Sequence, residues 1–149
     1  MTKFFIETSI LLASLLPAHP NYRRAEDLLR GCKRNGTLVC LSTHVIAELY
    51  SNLSNPKLTK SSSVTPSQAA NLIQPVVSEM ETVVLDESDY YAAMARCAKQ
   101  NLVSGVIYDA LHYQAALKSN ADYLYTENRR DFDRLQKEGD GLTIRSLPA

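Results

Sequence analysis

Five residues drawn from distant stretches of the chain offer side-chain oxygens of the kind that hold hard cations: Glu7, Glu48, Asp109, Asn128 and Asp131. Two of them interrupt apolar runs. Glu48 is flanked by Val45, Ile46, Ala47 and Leu49, and Asp109 by Val106, Ile107, Ala110 and Leu111. An acid set among apolar residues is costly unless it is paired or metal-bound. Carboxylates that converge repel one another, and a divalent cation relieves the repulsion. An oxygen set without a His/Cys cluster favours Mg²⁺ or Mn²⁺ over Zn²⁺. A pair of such ions about 3.5–4 Å apart suits phosphodiester hydrolysis, one activating water and one stabilising the leaving oxygen. Taken singly, Glu48 reads equally well as a solvated helix residue and Asp109 as a charge favoured near a helix start. Their joint placement is what points to a site.

That placement depends on the elements around them. Lys3–Ile6 is short, apolar and aromatic and predicts a buried strand. It ends at Glu7-Thr8-Ser9, where Thr8 or Ser9 is expected to cap a helix carrying Ile10, Leu11, Leu12, Leu15 and Leu16 and stopped by Pro17. Asn21 is expected to cap a second helix to about Lys33, and Asn35-Gly36 marks a turn. Leu38–Leu41 predicts a second strand. Ser42 or Thr43 then caps a helix with Val45, Ile46, Leu49 and Leu53 on one side. Asn55–Ser63 has loop composition. Pro66 suits the first turn of a helix to about Met80, with Pro75 a possible kink. Thr82–Leu85 predicts a third strand, and Asp86-Glu87-Ser88 opens a helix to about Gln100. A further helix spans roughly Ile107–Ser119, Tyr123–Tyr125 a fourth strand and Thr143–Arg145 a fifth. Strands separated by helices imply a single α/β domain with a parallel sheet of four to five strands flanked by helices. Ligands of such sheets bind beyond the carboxyl ends of the strands. Glu7 follows the first strand, Asn128 and Asp131 follow the fourth, and Glu48 and Asp109 sit early in helices.

Composition narrows the classes. With 149 residues, 45% apolar and 21% charged, the chain suits one globular core rather than disorder. Sixteen basic residues balance 16 acidic ones, which argues against coating nucleic acid by bulk charge while permitting a local basic rim. Cys32, Cys40 and Cys97 are odd in number and widely spaced, so a reducing cytoplasm fits better than a disulfide framework. Lys3 followed by Ile10–Leu16 loosely imitates a signal peptide, but Glu7 and Thr8 interrupt it, and no stretch reaches membrane-span length.

Certain blocks, in order, carry a resemblance: Phe5-Ile6-Glu7-Thr8-Ser9 with Leu11-Leu12-Ala13; His19-Pro20; Ser42-Thr43-His44-Val45-Ile46-Ala47-Glu48-Leu49; Ile107-Tyr108-Asp109-Ala110-Leu111-His112; and Ala121-Asp122-Tyr123-Leu124-Tyr125-Thr126-Glu127-Asn128 with Asp131-Phe132. Over nearly its whole length the chain resembles PIN-domain proteins, particularly the VapC-type toxins of bacterial toxin–antitoxin pairs. The resemblance implies an Mg²⁺- or Mn²⁺-dependent endoribonuclease, a homodimer and a cognate antitoxin protein. It implies metal-binding roles for Glu7, Glu48 and Asp109, with Asn128 or Asp131 completing the set. Thr8 and Ser9 would help hold the first acid and the metal, and Thr126 would orient the fourth segment.

Two departures stand out. The family pattern usually has Asp at position 7. The extra methylene of Glu7 displaces the carboxylate by about 1 Å, and misplacement of that size can cost roughly 10²-fold in rate. Glu7 either reaches the ion with its longer arm or attenuates activity. Asn128 occupies the fourth acid position, with Asp131 or Glu127 available to compensate. His44 and His112 read more simply as satisfied core histidines than as general bases, and His19 as a loop residue. Among Arg23, Arg24, Lys57, Lys60, Arg129 and Arg130, the pair Arg129 and Arg130 are the best candidates for RNA contact, because they adjoin the fourth segment. Two rivals remain: a PIN-like protein that binds RNA or a partner but cuts poorly, and a metal-dependent phosphatase using the same carboxylates.

Overall fold

The computed structural model describes residues 1–59 and 64–149. Five strands form one parallel sheet: β1 (Lys3–Ile6), β2 (Leu38–Ser42), β3 (Glu81–Val83), β4 (Tyr123–Tyr125) and β5 (Thr143–Arg145). Their spatial order is β3-β2-β1-β4-β5. Seven helices among the described residues connect them: α1 (Thr8–Leu15), α2 (Tyr22–Asn35), α3 (Thr43–Leu53), α4 (Pro66–Ser78), α5 (Glu87–Lys99), α6 (Val106–Lys118) and α7 (Arg129–Asp133). The chain winds outward from β1 through β2 to β3, then returns to the other side of β1 to lay down β4 and β5. The winding direction reverses between β1 and β4, and the carboxyl ends of those strands flank the crevice in which open α/β sheets bind ligands.

The core is the apolar centre of the sheet and the inner faces of the helices. Phe5, Ile6, Cys40, Leu41 and Leu124 are fully enclosed, with Leu11, Val45, Leu49, Leu53, Tyr113 and Phe132 packed around them. All three cysteines are buried and free. Gly36, at φ +68, ends α2 in the left-handed conformation and donates its N–H to the Cys32 carbonyl, the ending expected of Asn35-Gly36. Thr65 and Gln68 form a reciprocal capping box ahead of Pro66, and Asp86 and Asp89 do the same for α5.

Three expectations need correction. The cap of α1 is neither Thr8 nor Ser9 but the Glu7 side chain, which accepts from the Ser9 backbone N–H; both hydroxyls are engaged elsewhere. Asn21 stands at the start of α2 without a capping bond, because its amide donates to Glu127 and its oxygen accepts from Arg24. The third strand stops at Val83 rather than Leu85: Leu41 and Ser42 pair with Thr82 and Val83, and β2 ends there, leaving Val84 without a partner strand. The short α7 was not foreseen. The helix at Pro66 continues through Pro75 to Ser78. Of the loop expected at Asn55–Ser63, residues 60–63 lie outside the described residues.

Helix α6 bears Asp109 and His112, and its position is secured from two directions. Asp140 Oδ2 accepts from the Tyr113 hydroxyl at 2.6 Å, Arg96 at 3.0 Å and the Lys137 N–H at 2.8 Å. The Arg96 guanidinium lies 4.7 Å over the Tyr113 ring. Asp89 on α5 accepts from Gln114 at 3.1 Å and Lys118 at 2.6 Å on α6. Removing the Asp140 carboxylate strands a largely buried Arg96 and Tyr113. Asp140→Ala is therefore expected to cost about 2–4 kcal/mol in urea unfolding. Lys33→Ala, which breaks the exposed Lys33–Glu79 pair, should change stability by less than about 0.5 kcal/mol. Equal effects would show that Asp140 does not hold α6.

Candidate metal centre

At the carboxyl end of β1, Glu7 is 4% exposed. Its N–H donates to the Tyr125 carbonyl at 3.1 Å, extending the β1–β4 ladder by one rung. The carboxylate turns back over the start of α1. Oε2 accepts from the Ser9 N–H at 2.8 Å, from the Ser9 hydroxyl, and from Thr126 Oγ1 at 3.1 Å. Every hydrogen bond to this carboxylate among the described residues lands on Oε2, so Oε1 is left for another partner. Ser9 Oγ also accepts from the Glu127 N–H, and Thr126 Oγ1 from the Asn128 N–H at 3.0 Å. Two hydroxyls thus tie the first acid to the segment after β4.

Glu48 enters from the second turn of α3. Ser42 starts that helix, its hydroxyl accepting from the Val45 N–H at 3.2 Å. Thr8 reaches across and donates to Glu48 Oε1 at 2.8 Å, so Thr8 and Ser9, adjacent in sequence, serve different acids. The same Oε1 meets His112 Nε2, from a ring that is fully buried. Burial pushes the Glu48 carboxyl up, but the hydrogen bond and charge of His112, with the Thr8 bond, outweigh it and hold the group below its ordinary range. His44, one helical turn before Glu48, stacks parallel to Tyr108 with ring centroids 5.4 Å apart. Burial holds the His44 imidazole below its usual value, with the His112 charge adding to the effect.

Asp109 occupies the first turn of α6. Its carboxyl is pushed up to about 6, first by burial and then by the charge of Glu7; Asp131 and Glu48 add to the rise and His112 opposes it. Four acids from four segments therefore share one electrostatic environment. Asp131, in α7, is half-buried and lies 3.5 Å from Arg134. Asn128 is exposed at the start of α7, and its side chain makes no capping bond. Glu127 is turned away from the acids: its carboxylate accepts from Asn21 at 2.9 Å and from the Leu147 N–H at 3.2 Å. Arg129 and Arg130 are exposed, Arg129 lying 3.5 Å from Asp133. Arg23, Arg24 and Lys57 are also exposed, while Lys60 lies outside the described residues.

His44 and His112, expected as satisfied core histidines, stand beside Glu48. One donor atom each from His44, Glu48 and His112 lie within 4.8 Å of one another. The available signal was the four-residue spacing of His44 and Glu48, which puts both on one helix face. That His112 would turn to Glu48 rather than to Asp109, its neighbour on α6, was not legible. Glu7, Glu48, Asp109 and Asp131 offer the oxygen donors that suit a hard divalent ion, although His44, Glu48 and His112 are the one set of three donors within 4.8 Å among the described residues. Burial first and the charge of Glu7 second raise the Asp109 carboxyl, and an ion would relieve the repulsive part.

The profile of the PIN domain family matches residues 4–138. No curated protein sequence matches the chain. Among solved structures, the VapBC2 complex of Rickettsia felis bound to a fragment of its promoter DNA aligns with a TM-score of 0.71 at 21% identity, covering 99% of this chain and 100% of that one. VapC20 of Mycobacterium tuberculosis, a sarcin–ricin loop cleaving toxin, aligns at 0.67 and 15%, covering 87% and 93%. DNA-bound VapBC of Salmonella typhimurium aligns at 0.67 and 19%, covering 98% of both chains. At these identities the structures speak to the fold. The profile match spans most of the sequence, and the fold and the acid-lined crevice agree with it: the chain belongs to the PIN domain family.

Proposed function

We propose that this protein is an Mg²⁺- or Mn²⁺-dependent endoribonuclease that hydrolyses RNA phosphodiester bonds as the toxin of a type II toxin–antitoxin pair. The observation that carries the proposal is the buried Glu7 carboxylate at the carboxyl end of β1, tied to the segment after β4 by Ser9 and Thr126, with Glu48, Asp109 and Asp131 close enough for their charges to act on one another. The VapC and VapBC neighbours, one of them a toxin that cleaves the sarcin–ricin loop, support the same direction.

A divalent ion held in such a site supplies an activated water and a counter-charge for the leaving oxygen. Glu7, Glu48, Asp109 and Asp131 would hold it, with Asn128 as a neutral donor at the rim. Ser9 and Thr126 fix Glu7 in place, and Thr8 fixes Glu48, which limits the orientations these two carboxylates take. Arg129 and Arg130, exposed beside Asn128, would pair with backbone phosphates of the RNA.

Glu7 motivates the second reading, an attenuated PIN-like protein that binds RNA or a partner. The free Oε1 favours competence, because every hydrogen bond that holds the carboxylate among the described residues falls on Oε2. The antitoxin would lay an apolar helix into the groove between α3 and α4, lined by Ile46, Tyr50, Ala70, Ile73 and Val77. The exposed Tyr90, Tyr91 and Met94 of α5 suit a homodimer. Among the described residues no helix is long and apolar enough to cross a membrane, and a cytoplasmic setting accords with three free cysteines.

Three outcomes are expected. With Mn²⁺ the protein cleaves RNA internally, chelation stops it, and Asp109→Asn or Glu48→Gln lowers the rate by at least about 10²-fold; phosphomonoester turnover without RNA cleavage would favour a phosphatase instead. Glu7→Asp changes the rate by less than about tenfold, whereas a gain on the order of 10²-fold would establish attenuation. The third concerns stability. A carboxyl raised in the folded state binds its proton more tightly there than in the unfolded chain. Its ionisation therefore costs stability above about pH 6, and the cost vanishes below about pH 4. In chelator, Asp109→Asn should stabilise the protein by on the order of 2 kcal/mol near pH 8, seen as a rise of a few degrees in Tm that disappears toward pH 4. A destabilised variant at pH 8 would show that Asp109 is not repelled by its neighbours.

A further inference from the structure

Beside the acid cluster lies a group of donors of different character. His112 is fully buried, and its Nε2 meets Glu48 Oε1. An ionised carboxylate only accepts, so Nε2 carries a proton in that contact. On the opposite edge of the ring, Nδ1 lies 3.4 Å from Ser42 Oγ, a hydroxyl anchored at the start of α3. A metal-bound histidine is oriented by a partner on its other ring nitrogen, and Ser42 Oγ stands in that position for His112. His44 approaches from α3, its plane set by Tyr108, with its ring centroid 5.3 Å from that of His112.

His44 supplies the independent observation. Its Nε2 is the one buried side-chain nitrogen or oxygen without a hydrogen-bond partner among the described residues. Buried polar atoms are nearly always satisfied, and this one belongs to a ring packed against His112, which is itself bonded to Glu48. Donor atoms of His44, Glu48 and His112 lie within 4.8 Å of one another. One ion at about 2.0–2.2 Å from each donor needs them roughly 3–4 Å apart, a spread that modest side-chain rotations reach.

We propose that His44, Glu48 and His112 form a transition-metal site, best suited to Zn²⁺, distinct from the all-oxygen cluster and sharing Glu48 with it. Two imidazoles and one carboxylate make a donor set that imidazole-preferring ions fill and Mg²⁺ does not. Entry of the ion replaces the hydrogen bond between Nε2 of His112 and Glu48. The charged ring gives up its Nε2 proton to solvent as the ion enters and keeps Nδ1–H, which then donates to Ser42 Oγ. Sharing Glu48 makes the two sites antagonistic: Zn²⁺ draws this carboxylate away from Asp109, and by linkage each ion weakens the other.

The test needs no RNA, so its result is separate from that of the nuclease proposal. Zn²⁺ binding to the full-length protein is measured by calorimetry, and Co²⁺ is used as a visible-absorption probe of nitrogen coordination. Wild type should bind one Zn²⁺ and give Co²⁺ bands of low-coordinate, nitrogen-containing type. His44→Gln, at a half-buried position that should fold, should weaken Zn²⁺ at least tenfold and remove those bands. Asp109→Asn should retain both. His112→Gln is a further ligand variant, interpreted only where circular dichroism matches wild type. Absence of Zn²⁺ binding in wild type, unchanged binding in His44→Gln, or loss of the Co²⁺ bands in Asp109→Asn would each overturn the site.

Discussion

The charge of Glu7 reaches Asp109 through a half-buried interior, and the two belong to elements that the repulsion tends to separate: the end of the central strand and the first turn of α6. What resists is remote from the charges. At its far end α6 is pinned to α5 by Lys118 and Gln114 on Asp89, and along its length to the C-terminal segment by Tyr113 on Asp140. On the other side, Glu7 is fastened through its own N–H to β4 and through its carboxylate to α1 and Thr126. The strain is local and the anchoring is distributed, an arrangement in which a functional cluster is tolerated because the surrounding fold over-determines its geometry.

Three hydroxyls divide the work of aiming the acids. Ser9 and Thr126 serve Glu7, and Thr8 serves Glu48. Because Ser9 and Thr126 also accept backbone N–H groups from Glu127 and Asn128, the loop after β4 and the first acid are positioned by the same bonds. Glu48 is the contested member, facing Thr8 and His112 through one oxygen. A small displacement of this side chain alters both the acid cluster and the histidine pair.

Much of the architecture was legible because each element announces itself locally. Apolar runs of strand length, the Asn35-Gly36 turn, Ser42 at a helix start and Pro66 in a first turn lead to the observed elements within a few residues. The acids were legible because an ionisable side chain among apolar neighbours needs a reason. What was not legible depended on partners distant in sequence. Ser9 looks like a cap until Glu7, Thr126 and Glu127 are seen around it. Glu127 looks like a spare ligand until Asn21 and Leu147 claim it. His112 lies 64 residues from Glu48, and its hydrogen bond left no periodic trace in the chain. The end of β3 was misjudged for a similar reason: Val84 and Leu85 have strand composition, but a strand ends where its neighbour does.

The outer strands β3 and β5 are only three residues long, and each flanks an otherwise paired sheet. Such stubs expose too few free peptide groups for a neighbouring chain to add a fourth or fifth rung, which guards an open sheet against edge-to-edge growth into fibrils. The peptide groups that a longer edge would offer to another sheet are thus few, and the outer surface is left mainly to helices, whose backbone bonds are satisfied internally.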